Sequence, residues 1–380
     1  MNFFNNQNVF KWIFGTPQDS IEYTKIITND ELIYSTFYYE GISGKRFNST
    51  LYSYLEEFKL EKSDSDYIDP IIDEIPKPVI VTAFSQNHFE EADNLIRSIR
   101  KFLPTHKVVI YDLGLEEASI DIIRKVCNVE YRKFNYSKYP PHVEDLMTYA
   151  WKPIILAETL RDFKAIWYAD SSIRFTKSDL SQVYGLINCR RNHKKNHKKF
   201  EQEKMEKKNL NENVEVGNYK NSIKFNWKIN VEHCHKAAFL LHGFSGHGIL
   251  PASHIGMLKY LATNTKLMGS NKSRMYDANF IYAVKTYDTA YEILKWLLLC
   301  ALEKECIAPN GSKVYNCYNL WDKKYSDISH SCHRFDQSAM NILLSNGNNY
   351  NPKNYISELN DFFVIKRGDV TTWDNTSFCQ

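Results

Sequence analysis

The sequence predicts an α/β fold, and three observations carry that expectation. Short apolar, β-branched runs alternate with amphipathic helical patterns from Pro78 onward. One such run, Ala165 to Ala169, stops on a carboxylate, Asp170. The composition, 43% hydrophobic with 14% aromatic residues over 380 positions, is that of a globular chain. Strands alternating with helices at this spacing imply right-handed crossovers and a mainly parallel sheet.

Residues 1–77 show no clear period. An aromatic cluster (Phe37, Tyr38, Tyr39) gives way to acidic stretches such as SDSDYIDPIIDEIP, and the segment reads as an N-terminal stem or extension ending near Pro76 and Pro78. The regular domain is expected over 78–374. Val79 to Phe84 is its first strand. Phe89, Ala92, Leu95, Ile96, Ile99 and Leu103 then fall mostly three and four apart, the spacing of an amphipathic helix. Lys107 to Tyr111 reads as a second strand ending on Asp112, Leu115 to Cys127 as a helix, and Val129 to Phe134 as a third strand. Next comes a helical pattern from Trp151, with Pro153 near its start and Ile155, Leu156 and Leu160 on one side.

The run ending at Asp170 is what a buried parallel strand looks like when it delivers a charge to the carboxyl edge of a sheet, where open α/β folds bind ligands. Asp170 is therefore the first site candidate, against the plainer reading that an Asp simply begins a turn. After the first strand the chain reads SQNHFEE, and neither G-x-G-x-x-G nor G-x-x-x-x-G-K-[ST] occurs anywhere. NAD enzymes and P-loop NTPases are excluded on that ground.

Residues 190–209 hold nine Lys or Arg against three Glu, a local +6 that leaves −3 for the rest of a chain whose formal total is +3. The basicity belongs to one tract, so no nucleic-acid partner is expected, and 190–222 reads as a disordered surface insertion. No membrane span is expected either, since the longest apolar run, Trp296 to Leu302, is far below the roughly 18 residues a crossing helix needs. The N-terminus, MNFFNNQNVFKWIF, lacks the continuous apolar core of a signal peptide. Of eight cysteines, Cys300, Cys306, Cys317 and Cys332 group late at spacings unlike paired zinc ligands, which leaves room for one or two disulfides. Sequons at Asn48, Asn135, Asn271, Asn310 and Asn375 are about as many as the composition gives by chance.

The segment KAAFLLHGFSGHGILPASH is rich in Gly and His, but Ser245 is followed by Gly246 and His247, so the nucleophile-elbow pattern is not met. Asp288 to Glu303 reads as an apolar core helix. The last motif, CHRFDQSAMNILL, puts Ala339, Ile342 and Leu343 on one helical stripe and leaves His333, Asp336 and Gln337 at the N-terminal end, where free N–H groups favour anions. Taken alone, Asp336 could be a cap and His333 a satisfied half-buried histidine.

Together, YAWKPIILAETL, WYADSSIRF, SGHGILPASH, LCALEKECIAP and CHRFDQSAMNILLSN resemble the motifs of an uncharacterised animal family of glycosyltransferase-like proteins, a domain of unknown function. The resemblance implies a GT-A-like fold: a Rossmann-type mixed sheet flanked by helices, one catalytic domain with an N-terminal extension. It implies transfer of a sugar from a nucleotide-sugar donor to a glycan or glycoprotein acceptor, in the secretory pathway and within the Golgi lumen. A catalytically inactive carbohydrate-binding or scaffolding protein of the same fold is the alternative. In GT-A enzymes a D-x-D motif holds Mn²⁺ or Mg²⁺ against the donor diphosphate; here it reads Asp170-Ser171-Ser172, which leaves one carboxylate, with His333 and His247 as candidate metal partners. The same resemblance assigns Asp336 and Gln337 to catalysis, and Thr82, Ala83, Phe84, Asp112 and Lys152 to the donor.

Overall fold

The protein is described by a computed structural model covering residues 31–36, 41–70, 72–188, 237–313, 317, 320, 323–371 and 373. The expected insertion at 190–222 lies outside these residues.

The strands β1 (Val79–Phe84), β2 (Val108–Asp112), β3 (Val129–Lys133) and β4 (Ala165–Ala169) fall where the apolar runs place them, with ends shifted by a residue at β2 and β3. They are joined by α2 (Phe89–Phe102), α3 (Glu117–Arg124) and α4 (Trp151–Phe163), after a first helix α1 (Tyr52–Glu57). All four strands pair in parallel, and β9 (Phe280–Val284) and β6 (Phe239–Leu241) extend the sheet on the far side of β4 through antiparallel pairings, giving the order β3-β2-β1-β4-β9-β6. The fold is thus a six-stranded mixed sheet flanked by helices. Strand order reverses between β1 and β4, and a crevice opens at the carboxyl ends of strands at such a switch point.

Because strand side chains alternate, the two faces of the sheet bury separate layers. Ile80, Phe84, Ile110, Trp167 and Ala169 pack with α2 and with β5 (Ile173–Phe175) on one side. Val81, Ala83, Val109, Ile166 and Tyr168 pack on the other with α4, α7 (Lys295–Leu302) and α9 (Phe335–Gly347). Tyr168 and Asp170 share a parity, so the residue that ends β4 belongs to the α4 and α9 side. The apolar stretch from Asp288 forms core as expected, although its first part, Thr289–Leu294, winds as a π-turn before α7.

The described part of 1–77 does not stand apart as a stem. Leu32, Tyr34, Phe47, Leu51, Leu55, Phe58 and Leu60 are buried in the same layer as α4 and α7, and Gly44 lies so close to the backbone of Tyr260 that a Cβ there would meet its carbonyl oxygen at 1.9 Å. Two-residue-scale periodicity fails in this segment because its apolar groups reach the core from turns and one short helix. Disulfides join Cys300 to Cys306 and Cys317 to Cys332, so the four late cysteines pair among themselves. Among the described residues no helix is long and apolar enough to cross a membrane.

Candidate active site

Three charged side chains from distant parts of the chain meet at the carboxyl end of β4. Asp170 follows the strand, Lys152 lies in the first turn of α4, and Asp336 in the first turn of α9. The Lys152 ammonium is 3.2 Å from Asp170 Oδ1 and 3.2 Å from Asp336 Oδ2, and donates to the Ala278 carbonyl oxygen at 3.3 Å. An ammonium has three N–H groups, and here three acceptors surround it. The lysine side chain is 4% exposed, Asp336 6% and Asp170 32%, so Asp170 is the member that faces solvent. Tyr168 donates to Asp170 Oδ1 at 2.9 Å, and its ring, with those of Tyr149 and Trp151, lies within 5.1–5.6 Å of the ammonium.

The electrostatics follow from that geometry. Burial pulls the Lys152 pKa down, but Asp170 and Asp336 together pull harder, and the lysine is held above its ordinary value. Burial raises the Asp336 carboxyl against the opposing pull of Lys152. Burial, then Asp170, raises the Tyr168 hydroxyl. The contact to Asp336 Oδ2 has ion-pair range without hydrogen-bond alignment, and that oxygen has no hydrogen-bond donor among the described residues.

Both helices that aim these side chains begin from backbone that L-residues adopt rarely. Tyr149 has φ +53° and Phe335 φ +44°, and their rings lie 6.4 Å apart. Strain of this kind costs on the order of 1–3 kcal/mol per residue and persists where the surroundings enforce it, often at functional sites.

Gln337 follows Asp336 and donates from Nε2 to Ser245 Oγ at 2.7 Å; Ser245 in turn donates to Asp277 Oδ1 at 2.7 Å. The other expected site residues separate from this group. Thr82, Ala83 and Phe84 are all buried, and Phe84 packs in the opposite layer beside Phe89, so no face of that ring is offered to a nucleotide base. Asp112 accepts from the amides of Gly114 and Leu115 on Oδ1 and from the Tyr131 hydroxyl on Oδ2, and so closes the turn after β2. Lys152, expected at the donor diphosphate, is buried between the two carboxylates, ion-paired to both and hydrogen-bonded to the Ala278 carbonyl oxygen.

Neither histidine joins the site as a ligand. His333 is fully buried, its Nδ1 accepts the His254 amide at 3.0 Å, and its Nε2 lies 3.0 Å from the Ile307 carbonyl oxygen, which assigns the proton to Nε2. Burial pushes its pKa down to about 3. His247 turns Nδ1 to the Gly248 carbonyl oxygen at 3.0 Å and feels the charges of Arg334 and Asp277. Among the described residues, no three His, Cys, Asp or Glu side chains cluster as a metal site. Sequence reasoning missed Tyr149 and Tyr168, both of which lay within quoted motifs; only their neighbours in space show why they matter.

No curated protein sequence matches the chain. The solved structures it is similar to include galactosyltransferase LgtC with donor and acceptor sugar analogues, at 11% identity and TM-score 0.32 over 70% of each chain. Mouse xyloside xylosyltransferase 1 is 10% identical with TM-score 0.32 over 70% of this chain and 81% of that one. The apo WbbM bifunctional glycosyltransferase is 13% identical with TM-score 0.30 over 61% of this chain and 36% of that one. Residues 23–157 match the family described as a protein of unknown function (DUF1647), a span that runs from the N-terminal segment through β1 to the first turns of α4 and takes in Lys152.

Proposed function

We propose that the protein is a nucleotide-sugar-dependent glycosyltransferase that moves a sugar to a hydroxyl of a glycan or glycoprotein. The observation that carries this reading is the convergence of Asp170, Lys152 and Asp336 at the switch point of the sheet. Sugar transfer needs a carboxylate close to the anomeric carbon or acceptor hydroxyl, to take a proton or to stabilise positive charge as the nucleoside diphosphate leaves. Asp170 presents such a group to solvent, and Asp336, held through Lys152, keeps it in place from behind. Gln337, bonded to Ser245, adds a polar pair directly after Asp336. The two disulfides fit an oxidising compartment, in keeping with the secretory pathway and the Golgi lumen as its place of work.

The second reading, a binding protein without activity, draws on Ser172 standing where a second carboxylate is expected. The two are separated by incubating the chain with nucleoside-diphosphate sugars and measuring nucleoside diphosphate release. Release that falls by at least about 100-fold in Asp170→Asn, the scale of one acid–base group, supports the enzyme. Sugar or nucleotide binding with no release from any donor sinks it in favour of the binding protein.

A further inference from the structure

The two residues that follow Asp170 are held by α2 and by residues 363–371. Asp170 to Ile173 is a tight turn, closed by the Ile173 amide donating to the Asp170 carbonyl oxygen at 3.0 Å, with Ser171 and Ser172 at its centre. Such a turn leaves its central carbonyls without partners inside it. Here both are taken from outside: the Ser171 carbonyl oxygen accepts from the Arg174 guanidinium, and that of Ser172 from the Lys366 amide at 2.8 Å. The Ser171 hydroxyl donates to Glu91 Oε2. These commitments bear on the divalent cation that the GT-A resemblance implies after β4. Ser172 stands where a second carboxylate would bind, Ser171 is turned to Glu91, and Asp170 Oδ1 is engaged by Lys152 and Tyr168. The residues present do not fit a hard cation, which takes several oxygen ligands.

Glu91 is the joint of this arrangement. It lies in the first turn of α2, where the helix dipole favours a carboxylate, and is 6% exposed. Its Oε2 accepts from Ser171 and lies 3.2 Å from His88 Nδ1, and its Oε1 accepts from the Gly368 amide at 2.8 Å. Gly368 belongs to a strap laid along the start of α2, which begins with β10 (Phe363–Ile365), antiparallel to β5. Further on, the Asp369 carbonyl oxygen accepts from Asn94 Nδ2 at 2.9 Å and from Arg174 Nη2 at 3.1 Å, and Thr371 donates to Asp93 at 2.7 Å. Trp373 stacks on Phe89 with ring centroids 4.9 Å apart, and its indole donates to the Phe89 carbonyl oxygen at 2.8 Å.

Resting on the glycosyltransferase reading, we propose that Glu91 is a positioning residue for Asp170: through Ser171 and the strap it fixes the turn that carries the carboxylate past the end of β4. The sheet holds Asp170 on one side only, where its amide donates to the Asn279 carbonyl oxygen at 2.8 Å. On the other side the chain leaves the strand, and a strand end without further contacts opens easily. Glu91 closes that side by joining α2, the turn and the strap at one buried carboxylate. A reacting group displaced by about 1 Å can lose on the order of 100-fold in rate, so the clasp bears on the reaction without touching substrate.

The test measures nucleoside diphosphate release from a panel of uridine and guanosine diphosphate sugars. The proteins compared are the unmodified chain, Glu91→Gln, Ser171→Ala, and each substitution combined with Asp170→Asn, with amide hydrogen exchange of 168–175 and 363–371 followed in all of them. Glu91→Gln keeps the shape of the side chain and leaves one acceptor oxygen, and Ser171→Ala deletes one hydroxyl, so both are expected to fold. Each should lower kcat by about tenfold to a hundredfold with KM within about twofold of the unmodified value, and Glu91→Gln should speed exchange in both segments together. In the Asp170→Asn background neither should lower the rate further, because the group they place is already lost. Equal fractional losses in both backgrounds, a change in KM alone, or unchanged exchange at 168–175 overturns the inference and leaves the proposed activity standing. If no donor is turned over, the activity falls and exchange decides: faster exchange at 168–175 in Glu91→Gln keeps the clasp, and unchanged exchange removes it.

Discussion

Lys152 shows how little a single position discloses by itself. In the sequence it is a lysine before Pro153 at a helix start, equally suited to solvent or to a phosphate. Its two carboxylate partners come from β4 and from α9, and no local pattern announces them. Removing one partner of a buried ion pair leaves charge without compensation and costs about 3–5 kcal/mol. Lys152→Met should therefore destabilise the fold by that order, read as a shift in the urea midpoint at unchanged slope; a shift within about 0.5 kcal/mol, the usual surface value, would show that the lysine is not the bridge. Asp170 was legible because a buried strand that ends in a charge is unusual. Asp112 met the same criterion and turned out to close a turn, since the sequence does not say whether a strand-end carboxylate faces ligand or its own backbone.

At the scale of elements, the strands and helices of the parallel half were readable because their period is set by burial on one or two faces. The N-terminal segment was not. Its buried Leu55, Phe58 and Leu60 sit in and after the six-residue α1, too short to display a period, and pack against partners far along the chain. Leu55→Ala is expected to cost about 2–5 kcal/mol, as in other large-to-small core changes. A detached stem would tolerate it without a change in melting temperature. The segment that leads into α9 is likewise held from a distance: Cys332, three residues before the helix, is tied to Cys317. Closing a loop of about 15 residues restricts the unfolded chain by roughly 3 kcal/mol, so Cys317→Ala should lower stability by that order under oxidising conditions and by nothing once the protein is reduced.

For the whole molecule, acidity is the lever. His333 must be neutral to keep its place between the His254 amide and the Ile307 carbonyl, and its pKa drops from 6.5 unfolded to about 3 folded. Below pH 6.5 the unfolded chain takes up a proton that the folded chain refuses, so stability present above that pH is lost as pH falls toward 3, by up to about 1.4 kcal/mol per unit. Asp336 has the opposite sign, since its raised pKa adds protons to the folded state, but only above the pH at which an unfolded carboxyl titrates. A denaturation midpoint that declines steadily from pH 6.5 downward is the expected profile; a midpoint flat to pH 4 would contradict the buried histidine.

The central claim is that Asp170, Lys152 and Asp336 form one site at the crevice between β1 and β4. It is tested most directly by titrating nucleoside-diphosphate sugars into the unmodified chain and into Asp170→Asn while following both binding and nucleoside diphosphate release. The expected result is saturable binding with release in the former, and release reduced by at least about 100-fold in the latter with the fold intact by circular dichroism. Equal release from both proteins would contradict it, because the one carboxylate that faces the crevice would then have no part in the reaction.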